Sequence, residues 1–384
     1  MGAPRQRQDV LDTFVSRLNS NWTRKAACQR QCHVLGRTCI CNLQFVHVAS
    51  FEEWIRHKDT DDTTRVIDRL LYALHDKMKP RQTFPFAADK VLGGADRCVL
   101  VFGILLKLGY GELIDLFYGA NIVDQYLHLP QLTHQMNELR VELVDKNVFG
   151  LLDYDKREEK ANTVIAGFEK ARWAFCHPSL TLHMDKNFSG SKLILPFCRY
   201  EAVNNKGGTA TVFGASIQCE FITDGPLAQA LQKSLYSDKD FGDVGITQHN
   251  FTLELLLTAY IMQCYKLAIK SYSAKAKDIY EWEKRAFTGL RNDYDTPIVQ
   301  CLGCFTHDGE REKTYNLVLE YGEMDLDEYC ADLGNIAPVH SEEIMRFWQS
   351  LFEVAKAIRR VHQVPVQTGQ NLQKVYSGYV APAL

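Results

Sequence analysis

Apolar residues recur three and four positions apart through the first half of the chain, and alternate with polar ones in much of the second. Val10, Leu11, Phe14 and Leu18 share one helical face, as do Val66, Ile67, Leu70, Leu71 and Leu74. A further helix is predicted over Arg97–Leu108, broken by Gly109-Tyr110-Gly111. Another follows over Leu113–Tyr118, then a helical piece before Pro130 and one over Glu158–Phe175. From about Lys192 short β-type runs take over: Leu193–Cys198, Arg199–Val203, a strand ending at Lys270, Ile298–Phe305, and the alternating Tyr315, Leu317 and Leu319. Between and after them lie two helices, Ala274–Leu290 and one capped by Ser341. The second carries Ile344, Phe347, Trp348, Leu351, Phe352, Ala355, Ile358 and Val361 on one broad apolar face. The pattern predicts an α+β chain in two parts, a helical domain over residues 1–190 and a second domain over 191–384.

Composition narrows the class. The 384 residues carry a net charge of −3, with 24% charged and 46% hydrophobic residues, which suits packed globular structure. The near-neutral balance removes the electrostatic case for a dedicated nucleic-acid binder. Met1–Asp9 is polar and carries no export signal, and Gln6 stands where a myristoylation motif wants a hydroxyl. The apolar run Cys98–Leu106, bracketed by Arg97 and Lys107, is too short to span a bilayer, so no membrane role is expected. Twelve Cys in such a chain are expected as reduced thiols in a cytoplasmic setting, which makes the sequons at Asn21, Asn187 and Asn250 chance matches.

Two cysteine groups bear on metal chemistry. Cys28, Cys32, His33, Cys39 and Cys41 supply enough ligands for tetrahedral zinc, but their spacing matches none of the common C-x2-C pairs. Buried or surface thiols are favoured over zinc there. Cys301 and Cys304 fall within a strand, where residues three apart face opposite sides, so no joint redox or zinc role is expected. His177 and His183 are expected as loop histidines rather than ligands.

The second half holds a series of chemically suggestive pieces. In Asn204–Phe213 a glycine-rich turn joins two strands, and glycines there let backbone N–H groups approach phosphate oxygens. Leu267-Ala268-Ile269-Lys270 ends a strand on a cation. On the following helix Glu283 shares a stripe with Ile279, Ala286, Phe287 and Leu290, and an acid on an apolar stripe needs a partner, for which Lys270 is the natural choice. The strand Tyr315–Leu319 runs through Glu320-Tyr321-Gly322 into a short helical period at Leu326 and Tyr329, and the long apolar-faced helix then ends at His362.

This order resembles a Ser/Thr protein-kinase domain of the divergent kind found in fungal proteomes. The resemblance implies an antiparallel N-lobe sheet with its C-type helix, a hinge, and the first C-lobe helices. It also implies ATP, with Mg²⁺, as cofactor. Asn205, Gly207, Ala210 and Val212 stand on the glycine-loop positions, of which only the middle one is Gly, and the adjacent Gly208 adds flexibility. Lys270 would pair the α/β-phosphates and be held by Glu283, on a strand carrying Ala268. Leu319 would be the gatekeeper, Glu320 and the Tyr321–Gly322 backbone would meet adenine, and Glu323 or Asp325 would reach the ribose.

The same resemblance fails in two places. A catalytic loop with an Asp base should follow His362, and the metal-holding Asp of D-F-G should come later, yet no Asp occurs after Asp332. The chain is therefore expected not to transfer phosphate by itself, and the alternative is a non-catalytic, pseudokinase-like scaffold for a protein partner. In addition, almost sixty positions separate Val212 from Lys270, including polar Ser234–Gly245 and the apolar run Leu253–Ile269. That run and the Ile344–Val361 face would lack part of their cover, which implies a partner or aggregation.

Overall fold

The computed structural model describes residues 3–27, 43–58, 64–78, 86–129, 132–146, 148–150, 152–188, 193–204, 209–238, 262–291, 298–308, 312–323 and 339–363. The cluster Cys28, Cys32, His33, Cys39 and Cys41 lies outside them.

The helical periods of the first half produce α1 (Ala3–Arg17), α2 (Val48–Arg56), α3 (Val66–Met78), α4 (Ala88–Leu92), α5 (Val99–Leu108), α6 (Ile114–Gly119), α7 (Leu132–Asp145) and α8 (Tyr154–Phe175). The α5 run VLVFGILLKL is apolar all round except for exposed Lys107 in its last turn, and it is accordingly buried on nearly every side. Gly103 lets it in: a Cβ there would lie 2.8 Å from the Phe51 ring and 3.2 Å from that of Phe175. Gly109, at φ +77, ends α5 as its spacing predicts, with its N–H donating to the Leu106 carbonyl and that of Tyr110 to Leu105. Around α5 sits one core that includes Phe14, Trp22, Ile67, Leu70, Phe102, Phe117, Leu139 and Phe168.

Strands begin earlier than the alternation suggests. β1 (Thr23–Lys25) and β2 (Gln44–Val46) form an antiparallel pair, and β3 (Met184–Phe188) precedes the division expected at residue 190. β3 joins the large sheet with β4 (Phe197–Asn204), β5 (Ala210–Gln218), β6 (Leu235–Asp238), β7 (Met262–Tyr272), β8 (Cys301–Asp308) and β9 (Lys313–Glu320). The order is β3-β8-β9-β7-β5-β4, with β6 beside the start of β7. Every pairing is antiparallel except β3 with β8. Among the described residues the second half also holds the helices α9 (Gly225–Leu231), α10 (Lys277–Leu290) and α11 (Ser341–Gln363). The chain is thus α+β.

The sheet buries both faces against different partners. Phe213, Ala215, Ile217, Leu267, Ile269, Leu302, Phe305 and Val318 point into a core shared with Phe45, Leu180, Phe188, Leu227 and Leu231. Fully burying one such aliphatic side chain contributes about 1.5–3 kcal/mol. The Phe221 ring receives Phe45, His47 and His177 edge-on at centroid distances of 4.8, 5.1 and 4.9 Å, which ties the first half to this face. The opposite face carries Tyr272, Cys301, Cys304, Leu317 and Leu319, packed beneath Tyr280 and Phe287 of α10.

The sequence-based boundaries need correcting at several points. Leu193–Leu195 is not strand; β4 starts only at Phe197, after Pro196. β8 starts at Cys301 rather than Ile298 and runs past the expected end at Phe305 to Asp308, which lies opposite Lys313. Cys301 and Cys304 share a face instead of opposing each other. A bulge between Cys301 and Gly303 sets Cys301 opposite Leu319 and Cys304 opposite Leu317, two positions apart on the same strand. Burial pushes the Cys301 thiol up to about 11, so it stays protonated and a poor ligand or nucleophile at neutral pH. On α11 the capping position is His340, one residue before Ser341: Ile344 N–H donates to the His340 carbonyl, and Glu343 reaches back to the His340 N–H at 3.4 Å.

Candidate functional site

Alternation along β7 sorts its side chains. Tyr265, Leu267 and Ile269 enter the core, while Lys266, Ala268, Lys270 and Tyr272 project to the α10 side. Direct antiparallel partners share a face, so the register assembles the rest of the site. On β5, Ala210 lies opposite Tyr272, Val212 opposite Lys270 and Gly214 opposite Ala268. On β9, Leu317 lies opposite Lys270 and Leu319 opposite Ala268. Ala210, Val212, Ala268, Lys270 and Leu319, chosen from sequence, therefore occupy one face of three adjacent strands.

The helix brings the acid. Lys270 Nζ donates to both carboxylate oxygens of Glu283, at 2.9 Å to Oε1 and 2.8 Å to Oε2. The side chains are 14% and 29% exposed, so the pair is shielded enough for its charges to need each other. The Lys270 ammonium also lies 5.7 Å from the Tyr272 ring centroid. Burial, followed by the Glu283 charge, holds the Tyr272 phenol protonated well above its ordinary range. What seats α10 is Tyr280, fully buried between Tyr272 and Tyr315, and not Ile279, which is exposed. The side turned to the sheet runs from buried Tyr280 through half-buried Glu283, Lys284 and Phe287, starting one residue on from the Ile279 that the sequence pattern favours.

After β9 the chain passes through Tyr321 and Gly322. Glu320 is engaged with the residue preceding β8: its N–H donates to the Gln300 carbonyl at 3.1 Å, and its carboxylate accepts the Gln300 N–H at 3.0 Å. Asn205, Gly207, Gly208 and Asp325 lie outside the described residues; the strands on either side of 205–208 are adjacent, with Asn204 opposite Val212.

Sequence reasoning missed a second group beside Ala268. Lys266 Nζ stands 5.3 Å from the Tyr321 ring centroid and 4.9 Å from that of Tyr236, whose hydroxyl bonds Ser216 Oγ at 2.8 Å. Gly214 makes room: a Cβ would lie 3.3 Å from Val203 Cγ2 and 3.6 Å from Tyr321 Cε2. Counting back by twos from Lys270 would have found Lys266; nothing local pointed to Tyr236.

Chemically, this face combines a fixed, carboxylate-held cation with a small residue and two aliphatic ones, beside the Tyr321–Gly322 backbone. That combination suits a planar apolar group carrying a polyanion. A separate depression at the far end of α10, lined by His183, Phe287, Leu290, Arg291 and Ile298–Cys301, includes none of these residues. Among the described residues no group of three or more His, Cys, Asp or Glu is placed to hold a metal ion, and no helix is long and apolar enough to cross a membrane. Comparison with protein-family models, curated proteins and solved structures returned no match.

Proposed function

We propose that the sheet, α10 and the segment after β9 form the nucleotide-binding part of a protein-kinase-like domain, which takes Mg-ATP with its phosphates at Lys270. The observation that carries the reading is the Lys270–Glu283 pair set on the same face as Val212, Ala268 and Leu319. It is supported by the arrangement of β4, β5, β7, β9 and β8 as neighbouring antiparallel strands, with α10 inserted in sequence between β7 and β8. In this reading Val212 and Ala268 cover the base from one side, Leu319 closes the inner end, and the Tyr321–Gly322 backbone supplies the polar edge. Phosphoryl transfer is not part of the proposal, since no Asp follows Asp332 within these residues to serve as base or metal ligand.

Thermal unfolding with and without Mg-ATP, beside Lys270→Ala, tests it. A ligand at 100 times its dissociation constant stabilises the native state by about 2.7 kcal/mol. A rise in Tm that Lys270→Ala loses is the expected result; a cooperatively unfolding wild type that ignores Mg-ATP would overturn the reading.

A second reading, a non-catalytic scaffold for a protein partner, draws on α11. Of its residues only Ala357 is buried, and Phe347, Trp348 and Phe352 are 41%, 63% and 63% exposed. An apolar face of this size on a soluble surface is a site for association. Indifference to ATP together with a stable heteromeric complex would favour it.

A further inference from the structure

The helix that supplies Glu283 is anchored at three points on one face, each to a different part of the sheet. Tyr280 packs between the rings of Tyr272 and Tyr315, at 5.8 and 5.3 Å. Glu283 takes Lys270. The next residue, Lys284, donates to Asp185 of β3, its Nζ lying 2.8 Å from Oδ2. Positions i, i+3 and i+4 stand together on a helix surface, so the third contact adds a polar constraint on the roll of α10 about its axis, beside those of the first two.

β3 is itself held tightly enough to act as a reference. It runs parallel to β8 with Asp185 opposite Cys304, and the Cys304 thiol donates to Asp185 Oδ1 at 3.4 Å. The absence of a Cβ on Gly303 lets Met184 approach to within what would be 2.9 Å of that atom, and the His183 N–H donates to the Leu302 carbonyl at 2.6 Å.

We propose that Asp185 is a positioning residue for the nucleotide site: by holding Lys284 it sets the orientation in which α10 presents Glu283 to Lys270. Through β3, the edge of the sheet then acts on the cation of the site by way of Lys284, α10 and Glu283. The inference rests on the nucleotide-binding reading above.

The test is titration of Mg-ATP, followed by calorimetry, into the wild type, Asp185→Asn, Asp185→Glu and the charge-swapped double variant Asp185→Lys with Lys284→Asp. Thermal unfolding without nucleotide serves as the check on folding. Asp185 is largely exposed, so an ion pair of this kind translates into about a two- to fivefold loss of affinity in Asp185→Asn. Asp185→Glu and the charge swap are expected to recover most of it, which a merely structural disturbance at residue 185 would not allow. Equal affinity in Asp185→Asn and wild type, or a loss that neither the swap nor Asp185→Glu repairs, would overturn the positioning role while leaving the nucleotide site standing. Failure of the wild type itself to bind Mg-ATP would instead remove the nucleotide reading, and this role with it.

Discussion

Glu283 grips Lys270 with both carboxylate oxygens, from a different element and 13 residues further along the chain. Removing one member of such a shielded pair leaves the other charge without compensation. Glu283→Ala is expected to cost about 1–3 kcal/mol, between the values for exposed and fully buried pairs. Replacing both partners, Lys270→Met with Glu283→Leu, is expected to restore most of that stability, because apolar groups of similar volume avoid the desolvation cost. The double variant should nevertheless show no Tm rise with Mg-ATP. Urea unfolding of the three proteins checks the first two statements, and a nucleotide-stabilised double variant would contradict the third.

Asp124 caps a helix to which it does not belong. It accepts the N–H groups of Leu100 and Val101 at 2.9 and 3.2 Å, at the start of α5, where Cys98 stands in the capping position without a side-chain oxygen. Asp124→Ala leaves two buried N–H groups unpaired and is expected to destabilise by about 1–3 kcal/mol. Asp124→Asn keeps one acceptor and should lose clearly less. Denaturant midpoints order the three proteins, and equal losses would show that charge rather than capping matters.

Burial, with the neighbouring His47, lowers the His177 pKa from 6.5 to about 4. Its folded-state pKa is depressed, so its contribution to stability is complete above pH 6.5 and is lost as pH falls toward 4. Asp124 works in the opposite sense: burial raises it from 3.8 to about 7, so its contribution is complete below 3.8 and is lost as pH rises to about 7. The two slopes overlap and partly cancel in the wild type. Comparison with His177→Phe, which suits the aromatic surroundings of Phe45 and Phe221, isolates the first. Between pH 6.5 and 4 the wild type should lose on the order of 3 kcal/mol relative to this variant. Parallel stability curves for the two proteins would refute the assignment.

Gly303 is the point where β3 docks. A side chain there would meet the backbone N and O of Met184 at 3.2 Å, which no rotamer change relieves. Gly303→Val is expected to unseat β3, raising hydrogen exchange at residues 184–188 while the amides of α5 keep their protection. Unchanged protection across β3 would mean that the strand shifts to accommodate the new side chain.

Much of the α10 site was legible because each part rests on a local period. Alternation placed Ala268 and Lys270 on one strand face, and the 3.6-residue repeat carried Glu283 to the same side. The bulge at Cys301 was not legible, since it depends on how β8 is paired rather than on β8 itself. Neither was β3, where Met184 and Phe188 are the only apolar residues of MDKNF and the middle three read as loop. Tyr280 was passed over for Ile279 because a stripe of aliphatic residues fixes a helix face only to within one position. The role of Asp185 depends on β3 and on the face that α10 turns to it, which is why no local pattern announced it.

The parallel pairing of β3 with β8 has a consequence for how the chain is made. Asp185 and Cys304 are 119 residues apart. At synthesis rates of about 5–20 residues per second, β3 leaves the ribosome some 6–24 s before its partner exists. Through that interval it is a bare strand in search of an edge. Asp185, Lys186 and Asn187 at its centre, and a length of five residues, make it a poor template for another nascent chain. The polarity that hid β3 from the hydrophobic pattern is what lets it wait.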